Sequence, residues 1–399
     1  MDAIGERNKA ATPAPQMLGA GTVLAIGVEV DRQTACLMEP ITGSYRLAAW
    51  WVAPSGLQRT VAGQVEDMCI RLGRRLRRQL WDYERAGPFI QSLDPVTTPP
   101  LQHVSVIASP RRQLRIWVVG LTPHNSLASS IGALEASQAQ TVGTTVLESH
   151  QDIELLAHEL NAVRPEALVL AGGYDSEERE SQRALFRMTQ NVVRALQAIP
   201  DDDLPEIIFA GNPFAYRDVA AILRSARPFA VSRVNNVQPA PDRTYGHGLS
   251  RAVDKLYLEK CRQMREYERL ETWTTDSASI MTVESSFARL VQLWLQLNEL
   301  PELHGVYTGG DRWLHVWADA DADRVLARFT APGPLPDDGI SWPPIRLVSG
   351  PWQADEEIPS SVLWWDAIGL APVVAAAAGV SPRAAVETLR ADILTYRKS

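Results

Sequence analysis

Near its start the chain reads TVLAIGVEVDRQTACLMEPITGSYRLAAWWVAP, Thr22 to Pro54, with apolar runs broken at Asp31 and Arg32. That is the rhythm of a β-hairpin of the kind that cradles a phosphate. Such a cradle needs close backbone approach, hydroxyl donors and a carboxylate that holds Mg²⁺ through water. Around the turn stand Gly27, Glu29, Asp31 and a single nearby hydroxyl, Thr34. Glu29 and Asp31 would set carboxylates against an anion, which leaves open what the hairpin does.

Three further stretches fall where ligands of open α/β sheets bind, at the carboxyl ends of apolar runs. They are LVLAGGYDSEERE, with Gly172, Gly173 and Asp175; AGNP, with Gly211 and Asn212; and VNNVQP, with Asn235 and Asn236. A tight turn into a helix needs glycine in any case, so a structural role and a ligand or partner contact both stay open. The chain has no GxSxG, HExxH, GxxxxGK[ST] or GxGxxG, and its seven His lack metal-ligand spacing. Cys36, Cys69 and Cys261 are odd in number without a CxxC, which points to no disulfide framework, no zinc site and a reducing cytoplasm.

The elements that would position these residues follow from periodicity. Thr22 to Val30, Gln33 to Glu39 and Ser44 to Val52 read as an antiparallel meander. A helix follows, with Val61, Val65, Met68, Leu72, Leu76 and Leu80 at three- and four-residue spacing and Arg71, Arg74, Arg75, Arg77 and Arg78 on its other face. Beyond the proline-punctuated stretch Gly87 to Gln102, short apolar strands from HVSVIA onward alternate with helices, which implies parallel βαβ units in a doubly wound sheet. Two long helices, about Leu249 to Leu270 and Val283 to Leu300, precede three more strand-like runs, HGVYTGG, RWLHVWAD and DRVLARFT. These repeat the opening meander at the level of architecture.

With 399 residues and a net charge of -8, the chain has room for two or three domains and is too acidic for a general nucleic-acid binder. The first 21 residues carry Asp2, Glu6, Arg7 and Lys9 where a signal peptide needs an apolar core, and they read as a disordered tail. The longest apolar run, IGLAPVVAAAAGV, is shorter than the roughly 18 to 20 residues of a bilayer span and reads as a buried helix.

Taken in order, LAIGVEV, TACLMEPITGSYRLAAW, QLRIWVVGLTPHNSLASSIGALEAS, RPEALVLAGGYD, IIFAGN, VNNVQP and HGVYTGGDRW resemble the glutamate mutase L family over roughly Val23 to Val316. That family consists of accessory proteins of the actin-like ATPase superfamily. The resemblance implies an α/β actin-like ATPase (ribonuclease H-like) fold with an embedded Rossmann-like parallel sheet and a truncated second domain. The implied domains are a disordered tail at 1–20, a first actin-like subdomain at 21–110 and a Rossmann-like region at 111–240. A helical connection at 241–303 and the second domain at 304–399 complete the chain.

The resemblance also shows what is missing. Gly27 stands where the family's first hairpin carries Asp and Glu29 where it carries Gly, while Val30, Asp31, Arg32 and Gln33 replace its Ser/Thr run. In the second hairpin Gly309 and Gly310 remain beside Asp311, but Tyr307 takes the Asp position and Arg312, Trp313 and Leu314 the hydroxyl positions. In PHNSL, His124 suggests a cobalamin loop, yet Thr122 stands for the Asp of Asp-x-His-x-x-Gly and Leu127 for its Gly; a loop histidine at a helix start is the simpler account.

The expected function is therefore that of a non-catalytic pseudo-ATPase accessory protein, with no cofactor or metal, acting on a protein partner that is a mutase or a second copy of itself. An active ATPase chaperone of a cobalamin-dependent mutase and a structural scaffold or filament subunit are the alternatives. Arg71, Arg74 and Arg78 are candidates for an acidic partner or anionic lipid, against a plainly solvated face. Trp313, Trp317, Trp364 and Trp365 belong to the six of twelve tryptophans that fall in the last hundred residues, and they serve equally as interface anchors or as core.

Overall fold

The computed structural model describes residues 22–41, 44–55, 60–89, 101–146, 150–197, 199–274, 280–297, 299–309, 312–319, 324–330 and 363–366. The chain divides into two compact units. One comprises Met1–Ala108, Glu268–Glu299 and Ile368–Ser399, and the other Ser109–Tyr267 and Leu300–Ala367.

In the first unit β1 (Thr22–Glu29), β2 (Arg32–Ile41) and β3 (Ser44–Pro54) form the antiparallel meander that their β-branched and aromatic runs favour. The register of β2 and β3 shifts at Leu37/Met38, leaving Ala48 as the extra residue of a bulge. Helix α1 (Val61–Leu76) starts at Thr60, whose hydroxyl accepts from Gly63 N at 3.1 Å, and buries Val61, Val65, Met68, Cys69 and Leu72. Its apolar spacing runs on to Leu80, but the helix stops earlier. Arg77 turns left-handed (φ 54°), and the Arg77 and Arg78 amides donate to the carbonyls of Arg74 and Gly73. A Cβ on Gly73 would lie 2.5 Å from the Arg78 carbonyl oxygen, so glycine allows this close return. Leu80 is buried outside the helix, just before β4 (Trp81–Asp82), which pairs with β5 (Gly87–Pro88).

The HVSVIA run, read from sequence as the first of the alternating series, is β6 (Leu101–Ser109) and lies beside β1, giving the order β3-β2-β1-β6. It is apolar enough to fit either sheet; pairing, which periodicity does not specify, decides.

The second unit is built on β7 (Leu114–Gly120), α2 (Ala128–Leu134), β8 (Ala139–Val146), α3 (His150–Val163), β9 (Ala167–Ala171) and α4 (Arg179–Leu196). There follow β10 (Glu206–Phe209), α5 (Tyr216–Ala226), β11 (Val231–Arg233) and α6 (His247–Arg262). The five strands are parallel in the order β8-β7-β9-β10-β11. Counted in chain order this is 2-1-3-4-5, a doubly wound arrangement with its switch point between β7 and β9. The continuous apolar runs RIWVVG and ALVLA are what a sheet buried on both faces requires. Trp117, Val119, Leu168, Leu170, Ile207 and Phe209 pack with α3, α4 and α5, while the alternating Ile116, Val118, Val169 and Ile208 are buried on the opposite face.

The helix read from Leu249 to Leu270 is two: α6 ends at Arg262 and α7 (Tyr267–Trp273) begins after a turn in which Glu266 is left-handed (φ 64°). Helix α8 (Val283–Leu297) follows. Last, β12 (Glu302–Gly309), β13 (Arg312–Asp319) and β14 (Arg324–Thr330) form an antiparallel meander, with β15 (Leu363–Asp366) parallel to β12. The order β14-β13-β12-β15 is that of the first sheet, a meander with a fourth strand beside its first. No helix among the described residues is long and apolar enough to cross a membrane.

Candidate functional site

The β1–β2 hairpin pairs Gly27 with Thr34 and Val28 with Gln33, and Glu29, Arg32 and Gln33 are engaged within the fold. Glu29 is buried, and Arg32, across the two-residue turn, donates from Nη2 to both carboxylate oxygens at 3.2 and 3.3 Å and from Nε at 3.3 Å. Ser55 braces the same turn, its hydroxyl donating to the Glu29 carbonyl at 2.8 Å and its amide to the Asp31 carbonyl at 2.7 Å. Gln33 donates to Gln64 of α1 at 3.1 Å. The Thr34 hydroxyl is buried with no hydrogen-bond partner, and Asp31 is exposed at the tip. Chemically this turn presents a neutralised ion pair where a phosphate cradle presents free donors. Arg32 is the residue whose role sequence reading missed; opposite charges three positions apart across a turn were the available signal.

In the second hairpin Gly309 ends β12 opposite Arg312, and Tyr307 and Leu314 are buried. Gly310 and Asp311 lie outside the described residues.

At the carboxyl end of the parallel sheet, by contrast, the loops that sequence marked are tied together. Gly172 (φ 154°) and Gly173 (φ 73°) follow β9, and a Cβ on Gly211, after β10, would meet the Gly172 carbonyl oxygen at 2.6 Å. Asn212 accepts from Phe214 N at 3.0 Å and donates to the Ser176 carbonyl at 2.8 Å. Asn236 donates to the Gly173 carbonyl at 2.8 Å and to Asp175 Oδ1 at 2.7 Å, and its own oxygen accepts from Gln238 N. The loop after β7 is a π-helical turn, Pro123–Leu127, capped by Thr122, and Asn125 donates to the Tyr174 hydroxyl at 3.2 Å. Asn212, Asn236 and Asp175 therefore lock the loops to one another, and Tyr174, Phe214 and Tyr245 stand exposed on these loops. Asn235 is exposed and lies against Gly248. His124 is exposed, and no metal-binding set of side chains occurs among the described residues.

The arginines of α1 and of the turn that follows it are not equivalent. Arg71 pairs with Asp67 at 2.8 Å, and Arg78 is bound to the buried Glu39 of β2, whereas Arg74 is exposed. Arg71 and Arg74 line a groove of about 600 Å³ with Thr60, Gly63, Glu66, Asp67 and Ile70. On the opposite face of α1 burial pushes the Cys69 thiol up to about 12, with Glu66 adding to the shift, so it stays protonated and is no nucleophile. Trp313, Trp317, Trp364 and Trp365 are strand residues of β13 and β15 whose side chains lie outside the described residues.

The sequence model of the family described as MutL protein matches residues 85–310, more than half of the chain. This chain belongs to that family. The match takes in the whole parallel sheet and its loops and leaves the β1–β2 hairpin of this MutL-family chain outside. Among solved structures, nucleotide-free acetone carboxylase is similar at 11% identity over 78% of this chain and 47% of that chain, with a TM-score of 0.35. The chain thus spans about half the length of that protein. T. thermophilus RuvC in complex with a Holliday junction substrate is similar at 9% identity over 60% of this chain and 95% of that one, with a TM-score of 0.14. No curated protein matches the chain.

Proposed function

We propose that this MutL-family chain is a pseudo-ATPase: an actin-like accessory protein of the glutamate mutase L type that binds no nucleotide and acts through contact with another protein in the cytoplasm. The observation that carries the reading is the Glu29–Arg32 ion pair at the first hairpin, where Glu29 is buried, the Thr34 hydroxyl is buried and the Ser55 hydroxyl is already donated to the Glu29 carbonyl. A phosphate entering that turn meets a buried carboxylate paired with Arg32, and a largely desolvated pair is costly to break. The shared order of the two four-stranded sheets supports the actin-like reading, since a duplicated domain accounts for two meanders that each take a fourth strand beside their first.

The test is thermal unfolding with millimolar Mg-ATP or Mg-ADP. A ligand at a hundred times its dissociation constant adds about 2.7 kcal/mol to stability, and the expected result is no shift. A reproducible rise in melting temperature would instead support the active ATPase chaperone. Co-purification with a cobalamin-dependent mutase tests the partner class separately.

A further inference from the structure

We propose that the outer edge of β3 and the basic end of α1 form a docking site for an extended, acidic segment of a partner protein, which adds to the sheet as a further strand. The proposal deepens the accessory reading and rests on it only for the existence of a protein partner.

The strand is the longest described, 11 residues, and it stands at the end of its sheet; among the described residues β2 is its only neighbour. From Leu47 to Ala53 the strand's own residues include neither a charge nor a proline, two of the devices that normally protect an edge. The bulge at Ala48 interrupts the register, which leaves Ala49 to Ala53 as the regular stretch of the edge; within it, among the described residues, the Trp50 carbonyl is held by Arg75, a contact an added strand has to displace. Trp50 is 38% exposed there, and the indole N–H of Trp51 is buried without an acceptor. Main-chain pairing supplies affinity in strand addition, and flanking side chains supply specificity.

The flank is cationic. Arg75 lies over the Trp50 ring at 6.0 Å and donates to the Trp50 carbonyl at 3.4 Å, which brings the last turn of α1 to the edge itself. Arg74 and Arg77 are exposed beside it, and no carboxylate pairs with Arg74, Arg75 or Arg77 among the described residues. The carboxylates of that helix, Glu66 and Asp67, lie two turns earlier, and Asp67 is bound by Arg71. Pairing β3 with β3 of a second copy about a two-fold axis would set Arg75 against its own equivalent, so charge selects an acidic partner over self-association.

The experiment uses the full chain and a fluorescein-labelled eight-residue peptide of alternating Glu and Val, followed by fluorescence anisotropy. Expected are saturable binding, at least tenfold weaker binding of the Lys–Val counterpart, and loss of binding when alternate amides of the Glu–Val peptide are N-methylated. Hydrogen exchange should slow at residues 49–53 on binding. The Arg74→Glu, Arg75→Glu double variant should lose at least tenfold in affinity while circular dichroism at the assay temperature shows the native fold, its melting temperature lowered by the lost Arg75 contacts to Trp50 and by two anions at the helix C-terminus. No binding, equal binding of the N-methylated peptide, or binding indifferent to the double substitution overturns the proposal. So does binding to phosphatidylserine vesicles in place of the peptide, which would make the basic face a lipid site. Failure here with continued co-purification of a mutase leaves the accessory reading standing; a thermal shift with Mg-ATP beside intact peptide binding does the opposite.

Discussion

Single residues in this protein are legible by what burial does to their chemistry. Cys36, Cys69 and Cys261 are all buried, and the Cys69 thiol has a pKa near 12 in place of 9.0 because its thiolate would be desolvated. All three should resist a thiol reagent at pH 8 in the native protein and react once guanidinium unfolds it. For Cys69 the raised folded value means that its contribution is complete below about pH 9 and is lost as pH rises through about 12, because only the unfolded chain gives up its proton between those limits. Wild-type stability should therefore fall more steeply above pH 9 than that of Cys69→Ala, measured by urea denaturation across that range. At the hairpin, Arg32→Ala leaves the Glu29 carboxylate buried without its guanidinium. The expected loss is about 3 kcal/mol in chemical denaturation, and Glu29→Met, Arg32→Met should recover most of it because no charge is then stranded.

At the scale of elements, the loops after β9, β10 and β11 act as one piece. Gly211→Ala places a methyl 2.6 Å from the Gly172 carbonyl oxygen, a backbone atom with little freedom to retreat, and should cost about 1 to 3 kcal/mol. Asn236→Ala removes donors to Gly173 and Asp175 and the acceptor for Gln238 N, and should cost about as much. A Gly211→Ala protein with wild-type stability would show that the two loops do not approach as described. The three asparagine and glycine stretches were visible in sequence as strand-end turns because Gly-Gly, Gly-Asn and Asn-Asn after apolar runs have few other uses. Their mutual bonding was not visible, since it joins residues 36 to 63 positions apart. The same distance problem hid the true end of α1. Leu80 keeps the helical spacing, and only the return of Arg78 against Gly73 shows that it is buried from outside the helix.

At the scale of the molecule, a net charge of -8 is the dominant electrostatic fact. Binding to duplex DNA rests on releasing counterions from many phosphate contacts, so a mobility-shift assay with random duplex at physiological salt should show no complex at micromolar protein. Retardation that disappears on raising the salt would contradict this. Assembly is the second property of the whole. If Trp313 and Trp364 anchor a homo-oligomer or a partner, each alanine substitution should weaken association by roughly thirtyfold, about 2 kcal/mol, in sedimentation velocity. A wild type that stays monomeric and partner-free, with both variants merely less stable, would assign these tryptophans to the core.

The sequence by itself determined which segments are strands and helices wherever apolar periodicity was strong: the opening meander, the βαβ series from Leu114 to Arg233 and the returning meander after Glu302. It also showed Glu29 and Asp31 at the first hairpin with Thr34 as the hydroxyl residue of its turn region, since that is a question of residue type. Only the tertiary structure decided that β6 joins the meander and that the parallel strands run 2-1-3-4-5. It alone showed that Glu29 is answered by Arg32 and Glu39 by Arg78. The reason is physical: periodicity reports one face of one element, whereas sheet order and the pairing of buried charges are settled by which surfaces meet when the chain closes, at separations no local pattern encodes.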